Sequence, residues 1–193
     1  MDTVSSRVLD VVGSLSKIGI RLSGDQLESI VAFLERRERY TVWTGPRGAG
    51  KSTACATVVA IMTHFGDIPE IVAATPERCG EIDQLSRQIA VLARLRRPPT
   101  ATRAHDVFVV DELSHCVEML KKTLSSGSGE DVTLEGRRMY ATTSSAVVTS
   151  TDEGAVITGS LAEYVVGSLL GVGTSTTAST SNAFVWKPID ESQ

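Results

Sequence analysis

Apolar residues recur over the first 35 positions with helical spacing. Val8, Leu9, Val11, Val12 and Leu15 fall on one side of a 3.6-residue turn, which predicts a helix over 3–18. A second helix follows Ser23. The run Ser23, Gly24, Asp25, Gln26 fits a capping box in which Gln26 reaches back to the cap, and Leu27, Ile30, Val31 and Leu34 supply the apolar stripe. The period then shortens. Residues 40–44 read as a buried strand, 51–65 as an apolar helix, and 70–75 as a second strand cut off by Pro76. Pro76 suits the first position of a helix, and Ile82, Leu85, Ile89 and Leu92 keep that helix amphipathic to about Arg94. A third strand is expected over 107–111, a helix through Leu113, Val117, Leu120 and Leu124, a flexible loop at 125–129, and a fourth strand over 138–143.

The pattern is weaker beyond this point. A fifth strand is expected at 154–158 and a short helix at 161–170. A loose Gly/Ser/Thr-rich linker should fill 171–181, with a last edge strand over 183–188. The division that follows is an N-terminal helical segment (1–39), a core (40–170), and a linker with a possible edge strand (171–193). Strands alternating with helices imply an α/β fold, a mostly parallel central sheet flanked by helices on both faces.

Two motifs give that fold a ligand. Gly45, Pro46, Arg47, Gly48, Ala49, Gly50, Lys51 and Ser52 match G-x-x-x-x-G-K-[ST], between a strand and a helix as the motif requires. Such a loop turns its N–H groups onto phosphate oxygens, and the helix that follows adds its positive end. Lys51 should reach the β- and γ-phosphates, the Ser52 hydroxyl should ligate Mg²⁺, and Thr53 belongs to the same cradle. Downstream, His105, Asp106, Val107, Phe108, Val109 and Val110 lead into Asp111 and Glu112. Four apolar residues in a row suit a strand buried on both faces. Asp111 is then expected to hold the Mg²⁺ through water, and Glu112 to orient and deprotonate the attacking water. The fold class becomes a P-loop NTPase three-layer sandwich with ATP and Mg²⁺ at the carboxyl ends of the strands.

Composition narrows the setting. The chain has 193 residues, 41% hydrophobic and 22% charged, which suits a soluble core. No apolar run reaches the ~20 residues needed to cross a bilayer, and the start lacks a secretion signal, so no membrane partner and an intracellular location are expected. Cys55, Cys79 and Cys116 are too scattered for a zinc site and read as reduced thiols. A net charge of −4 means that any nucleic-acid contact must be local. Arg36, Arg37 and Arg39 form one basic cluster, and Arg87, Arg94, Arg96, Arg97 and Arg103 another, each readable as a solvated face; the 94–103 segment, broken by Pro98 and Pro99, reads as an exposed loop suited to a phosphate-backbone or subunit contact.

The order of motifs resembles a RecA-type (ASCE) motor domain over roughly 20–150. It is similar to the ATPase domain of viral DNA-packaging terminases and to the first domain of superfamily 1 helicases. The residues that carry this are Leu22 to Ile30, the phosphate loop, Ile71 to Arg78, the Asp111–Glu112 strand, and Gly136 to Ser144. The resemblance implies that Gln26 contacts adenine, that Ala74, Thr75 and Pro76 link ATP to a translocated strand, and that Thr142, Thr143 and Ser144 form a coupling motif. In that motif Thr143 would sense the γ-phosphate. A helicase would show Gly-Asp-x-x-Gln there, which this chain lacks, so the terminase side is favoured. Nucleic acid, and a homo-oligomer or a partner chain supplying a second domain, are the implied partners; a viral chain would work in the cytoplasm or a host nucleus. A transition-state arginine is also expected, from the same chain or from a neighbour: Arg47 first, in cis or facing the adjoining subunit, with Arg137, Arg138 or the 94–103 cluster as substitutes. The competing functions are a nucleoside or nucleotide kinase and a nucleotide-gated binding module.

Overall fold

The computed structural model describes residues 3–37, 40–44, 47–116, 119–120, 137–143 and 184–185. Two helices come first, α1 (Val4–Lys17) and α2 (Gly24–Leu34). They are followed by β1 (Tyr40–Thr44), α3 (Lys51–His64), β2 (Asp67–Val72), α4 (Pro76–Leu92) and β3 (Thr102–Val110). A short 3₁₀ turn (Leu113–His115), β4 (Arg138–Thr143) and β5 (Phe184–Val185) complete the described elements. Local signals placed several of these ends. Ser23 caps α2 through the Gln26 N–H, and the Gln26 side chain returns the bond to the Ser23 N–H at 2.9 Å. Thr75 caps α4, with Pro76 at its first position.

All pairings in the sheet are parallel, in the order β2-β3-β4-β1-β5. Strands alternate their side chains between two faces, and each face is buried. Trp43, Val107, Val109 and Tyr140 join the core beneath α1, α2, α3 and α4. Val42, Phe108, Val110, Met139 and Ala141 pack on the other face with Leu113, Cys116 and Leu120. The fold is therefore the α/β sandwich of a P-loop NTPase. Helix α3 is buried nearly all round, from Ala54 to Met62, because it lies between the sheet and the other helices. An amphipathic stripe would be wrong for that position.

Three elements differ from expectation. β2 begins at Asp67 and stops at Val72 rather than running over 70–75, because Ala73–Thr75 turn into the cap of α4. Pro69 is tolerated inside it because β2 is an edge strand of this sheet and the missing N–H breaks no pairing on a second side. β3 is longer than 107–111: its exposed start pairs with β2, and the register jumps between Pro69 and Glu70 from Ala104 to Phe108. The segment expected as a helix from Leu113 opens instead with a 3₁₀ turn. Within the basic 94–103 segment, expected as an exposed loop, Leu95 is buried and Thr102 and Arg103 are already strand. The expected strand at 154–158, helix at 161–170 and linker at 171–181 lie outside the described residues. Phe184 and Val185 do form an edge strand, paired with β1. No described helix is long and apolar enough to cross a membrane.

Candidate nucleotide site

Parallel pairing opens the C-terminal ends of β1, β3 and β4 on one edge of the sheet. β1 leads into the glycine loop and β3 into Asp111 and Glu112; β4 lies between them and carries Thr142 to the same edge. Gly48 and Gly50 adopt φ of +85° and +83°. A Cβ on Gly48 would meet nothing within 4 Å, so the left-handed backbone itself, not crowding, calls for glycine there. No side chain caps α3, whose first turn carries Lys51, Ser52 and Thr53. Its N–H groups and dipole therefore face the loop, the arrangement that receives an anion. Gly45 and Pro46 lie outside the described residues, and Arg47 is exposed.

The side chains around this loop form one connected cluster. Lys51 is 6% exposed, and its Nζ lies 3.2 Å from Glu112 Oε1. The Ser52 hydroxyl lies 3.1 and 3.2 Å from the two carboxylate oxygens of Asp111, which is 1% exposed. The Thr142 hydroxyl donates to Asp111 Oδ1 at 3.2 Å and accepts from the Glu112 N–H at 3.3 Å. Glu112 itself sits at φ +56°, in the left-handed region. Such a conformation costs a non-glycine residue about 1 to 2 kcal/mol. That backbone turn is what points its carboxylate back at Lys51.

Two of these residues escaped sequence reasoning. Arg78, in the first turn of α4, donates from Nε to Asp111 Oδ2 at 2.9 Å and from Nη2 to Ser52 Oγ at 2.6 Å. Its Nη1 meets Glu81 Oε2 at 2.6 Å. The Glu81 hydrogen bond, then Asp111, hold the guanidinium pKa above its ordinary value. The available signal was the abruptness of the strand-to-helix turn. β2 neighbours β3, and the Asp111 N–H bonds the Val72 carbonyl, so anything in the first turn after Thr75 lands beside Asp111. Thr142 was expected only as part of the coupling motif, with Thr143 as the sensor. Strand alternation puts Thr142 on the α3 side, against Cys55, and Thr143 on the opposite face. Both are buried.

Gln26 lies 3% exposed beside the loop, with one end of its amide on the Ser23 N–H and the other on the Ala49 carbonyl at 2.9 Å. It braces the loop from α2. Arg137 and Arg138 precede or open β4, at the edge where the strands start, and about 17 Å of strand separates Arg138 from Thr143. Arg138 is spent on packing: it stacks over Phe33 at 4.4 Å and bonds the Phe33 carbonyl. Arg94, Arg96 and Arg97 follow the far end of α4. None of these reaches the glycine loop of its own chain; the reason is strand polarity, which sequence proximity does not reveal.

Two buried thiols, Cys55 and Cys116, lie beside the site. Cys55 Sγ is 3.8 Å from the Val110 carbonyl, and Cys116 Sγ 3.5 Å from that of Glu112. Burial, then the Asp111 charge, push the Cys55 pKa up and raise that of Cys116 to about 12. They act as small apolar fillers.

With this geometry in hand, comparison with known families is informative. A family model described as an AAA domain matches residues 21–126. The chain belongs to that family. The match runs from the strand-free approach to α2 through the glycine loop and Arg78 to the Asp111–Glu112 turn, so every side chain of the cluster except Thr142 lies inside the AAA domain. A search of curated proteins finds none that matches. AAA domains of this P-loop type generally bind nucleotide with Mg²⁺, and the donor set fits both. Ser52 and Asp111 offer the hard hydroxyl and carboxylate oxygens that Mg²⁺ prefers, and the loop, Lys51 and the uncapped α3 offer cationic and N–H donors for phosphate.

Proposed function

We propose that this AAA domain hydrolyses a nucleoside triphosphate, ATP first, in a Mg²⁺-dependent reaction coupled to the movement or remodelling of nucleic acid. The observation that carries the hydrolytic part is the convergence of Lys51 and Ser52 with Asp111 and Glu112 across two different strand ends. Bound Mg²⁺ would supply charge neutralisation across the phosphates. The chain's own residues do the rest. Lys51 and the loop N–H groups hold the β- and γ-phosphates. Once Lys51 turns to phosphate, the Glu112 carboxylate is released from the ion pair and can take a proton from water. Asp111 and Ser52 would hold the metal, and the Thr142 hydroxyl fixes Asp111 and the Glu112 backbone relative to one another.

Support for coupling comes from β4. One hydroxyl at its end touches the Asp111 carboxylate and the Glu112 backbone N–H, so a shift there on loss of the γ-phosphate would be passed along the strand. The Thr75–Pro76 start of α4, which resembles the nucleic-acid segment of such motors, is tied to the same Asp111 through Arg78. Arg47, exposed in the loop, is free to face a neighbouring subunit or partner chain that completes the site. ATP turnover should be measured with and without DNA or RNA, and with nucleosides as phosphate acceptors, using Lys51→Ala as the control. Stimulation by nucleic acid, abolished in Lys51→Ala, is the expected result. Transfer to a nucleoside would overturn the reading in favour of a kinase. Tight binding without turnover would reduce the domain to a nucleotide-gated module.

A further inference from the structure

We propose that Arg78 is a resident counter-cation on the metal ligands, which Mg²⁺ must displace and which Glu81 receives. This rests on the Mg²⁺-nucleotide reading above. The guanidinium bonds Ser52 Oγ at 2.6 Å and Asp111 Oδ2 at 2.9 Å, the two side chains that fit the metal. A Mg²⁺ ion held by the Ser52 oxygen, and by Asp111 through water, would need the lone pairs that now accept from Arg78, so the guanidinium and the metal would compete for them. Asp111 is almost fully buried, so a carboxylate with neither cation would be costly; one replaces the other.

The route of departure is built in. Arg78 is 41% exposed along its side chain, and its third contact, Glu81, lies one turn further along α4 and is 62% exposed. The guanidinium can pivot outward about Glu81 without moving the helix, whose first turn is fixed by the Thr75 cap and Pro76. Two carboxylates thus divide one arginine: Asp111 draws it into the metal site, Glu81 draws it out. This arrangement sets how much Mg²⁺ the domain needs. It also couples the start of α4 to loading.

Changing the two ends should shift the Mg²⁺ requirement in opposite directions, which a merely structural arginine would not do. The test is equilibrium binding of a fluorescent ADP, titrated with Mg²⁺ from an EDTA-buffered zero, for the wild type, Arg78→Gln and Glu81→Gln. Arg78→Gln should lower the half-saturating Mg²⁺ about tenfold, the order of one charge-assisted hydrogen bond. Its melting temperature should rise with Mg²⁺ alone more than that of the wild type. Glu81→Gln, an exposed change that leaves the fold intact, should raise the half-saturating Mg²⁺ several-fold. Should Arg78→Gln fail to fold, the rise in Glu81→Gln carries the proposal. Coincident titrations, or a higher requirement in Arg78→Gln, would overturn it. ADP binding that ignores Mg²⁺ in the wild type would also overturn it, whereas a wild type that binds no ADP at any Mg²⁺ would refute the nucleotide reading instead, so the two failures are distinguishable.

Discussion

Replacing Gln26 with Ala should unfasten the glycine loop from α2. The amide makes two bonds: it accepts from the Ser23 N–H at 2.9 Å and donates to the Ala49 carbonyl at 2.9 Å. Each contributes about 1 kcal/mol net, and the Ser23 and Ala49 groups left behind are partly buried, so the total loss is about 2 to 3 kcal/mol. For a chain of this size, ~2 to 4 °C of melting temperature goes with each kcal/mol, so Tm should fall by roughly 5 to 10 °C. Urea unfolding should show a lower midpoint at unchanged slope. Gln26→Glu keeps the acceptor for Ser23 but turns a carboxylate oxygen towards the Ala49 carbonyl. It should therefore recover part of the stability. The resemblance to packaging and helicase motors makes a different forecast, that Gln26 reads adenine. An unchanged Tm in Gln26→Ala together with a lost preference for ATP over GTP would refute the bracing argument and restore the base contact.

Glu112→Gln should keep nucleotide binding while single-turnover hydrolysis falls by about 10² or more, the scale of a lost general base; normal turnover would assign the water to another residue. Thr142→Val deletes the hydroxyl that joins Asp111 Oδ1 to the Glu112 N–H, and should cost about 1 to 3 kcal/mol in urea unfolding with loss of nucleic-acid stimulation. Thr143→Val should cost turnover less, and the reverse order would return the sensor to Thr143. Stability should also fall at alkaline pH. The folded state holds Cys116 protonated to about pH 12, whereas an unfolded thiol ionises near pH 8.5, so the unfolded chain binds fewer protons between those values. Burial raises Cys55 and Tyr140 in the same sense. Denaturant midpoints that hold constant from pH 8 to 11 would contradict this, as would rapid alkylation of Cys55 or Cys116 in the folded protein at pH 8.

Chain-local rules were enough for much of this protein. The glycine loop is a backbone requirement written into consecutive residues. The Ser23–Gln26 box and Pro76 act on their own helices, and the end of β4 at Thr143 lies where the apolar run stops. The α/β sandwich and the meeting of Lys51, Ser52, Asp111 and Glu112 follow from such signals once the strands are parallel. Other features depend on which strand lies beside which, and no neighbour in sequence encodes that. β2 stops at Val72 because its successor must turn to cap α4, and β3 lengthens because β2 is there to pair with its polar start. That Thr142 is the one to meet Asp111 turns on the face of the pleat that meets α3, a parity that two adjacent threonines cannot reveal. Arg138 is carried to the far edge by strand polarity and spent on Phe33, although its distance along the chain from Thr142 is short. Arg78 comes to the carboxylate of another strand only because β2 and β3 are adjacent and their C-terminal ends coincide. Short-range sterics and hydrogen bonding select the elements; long-range pairing, which the chain meets only after it has folded, selects which side chains meet.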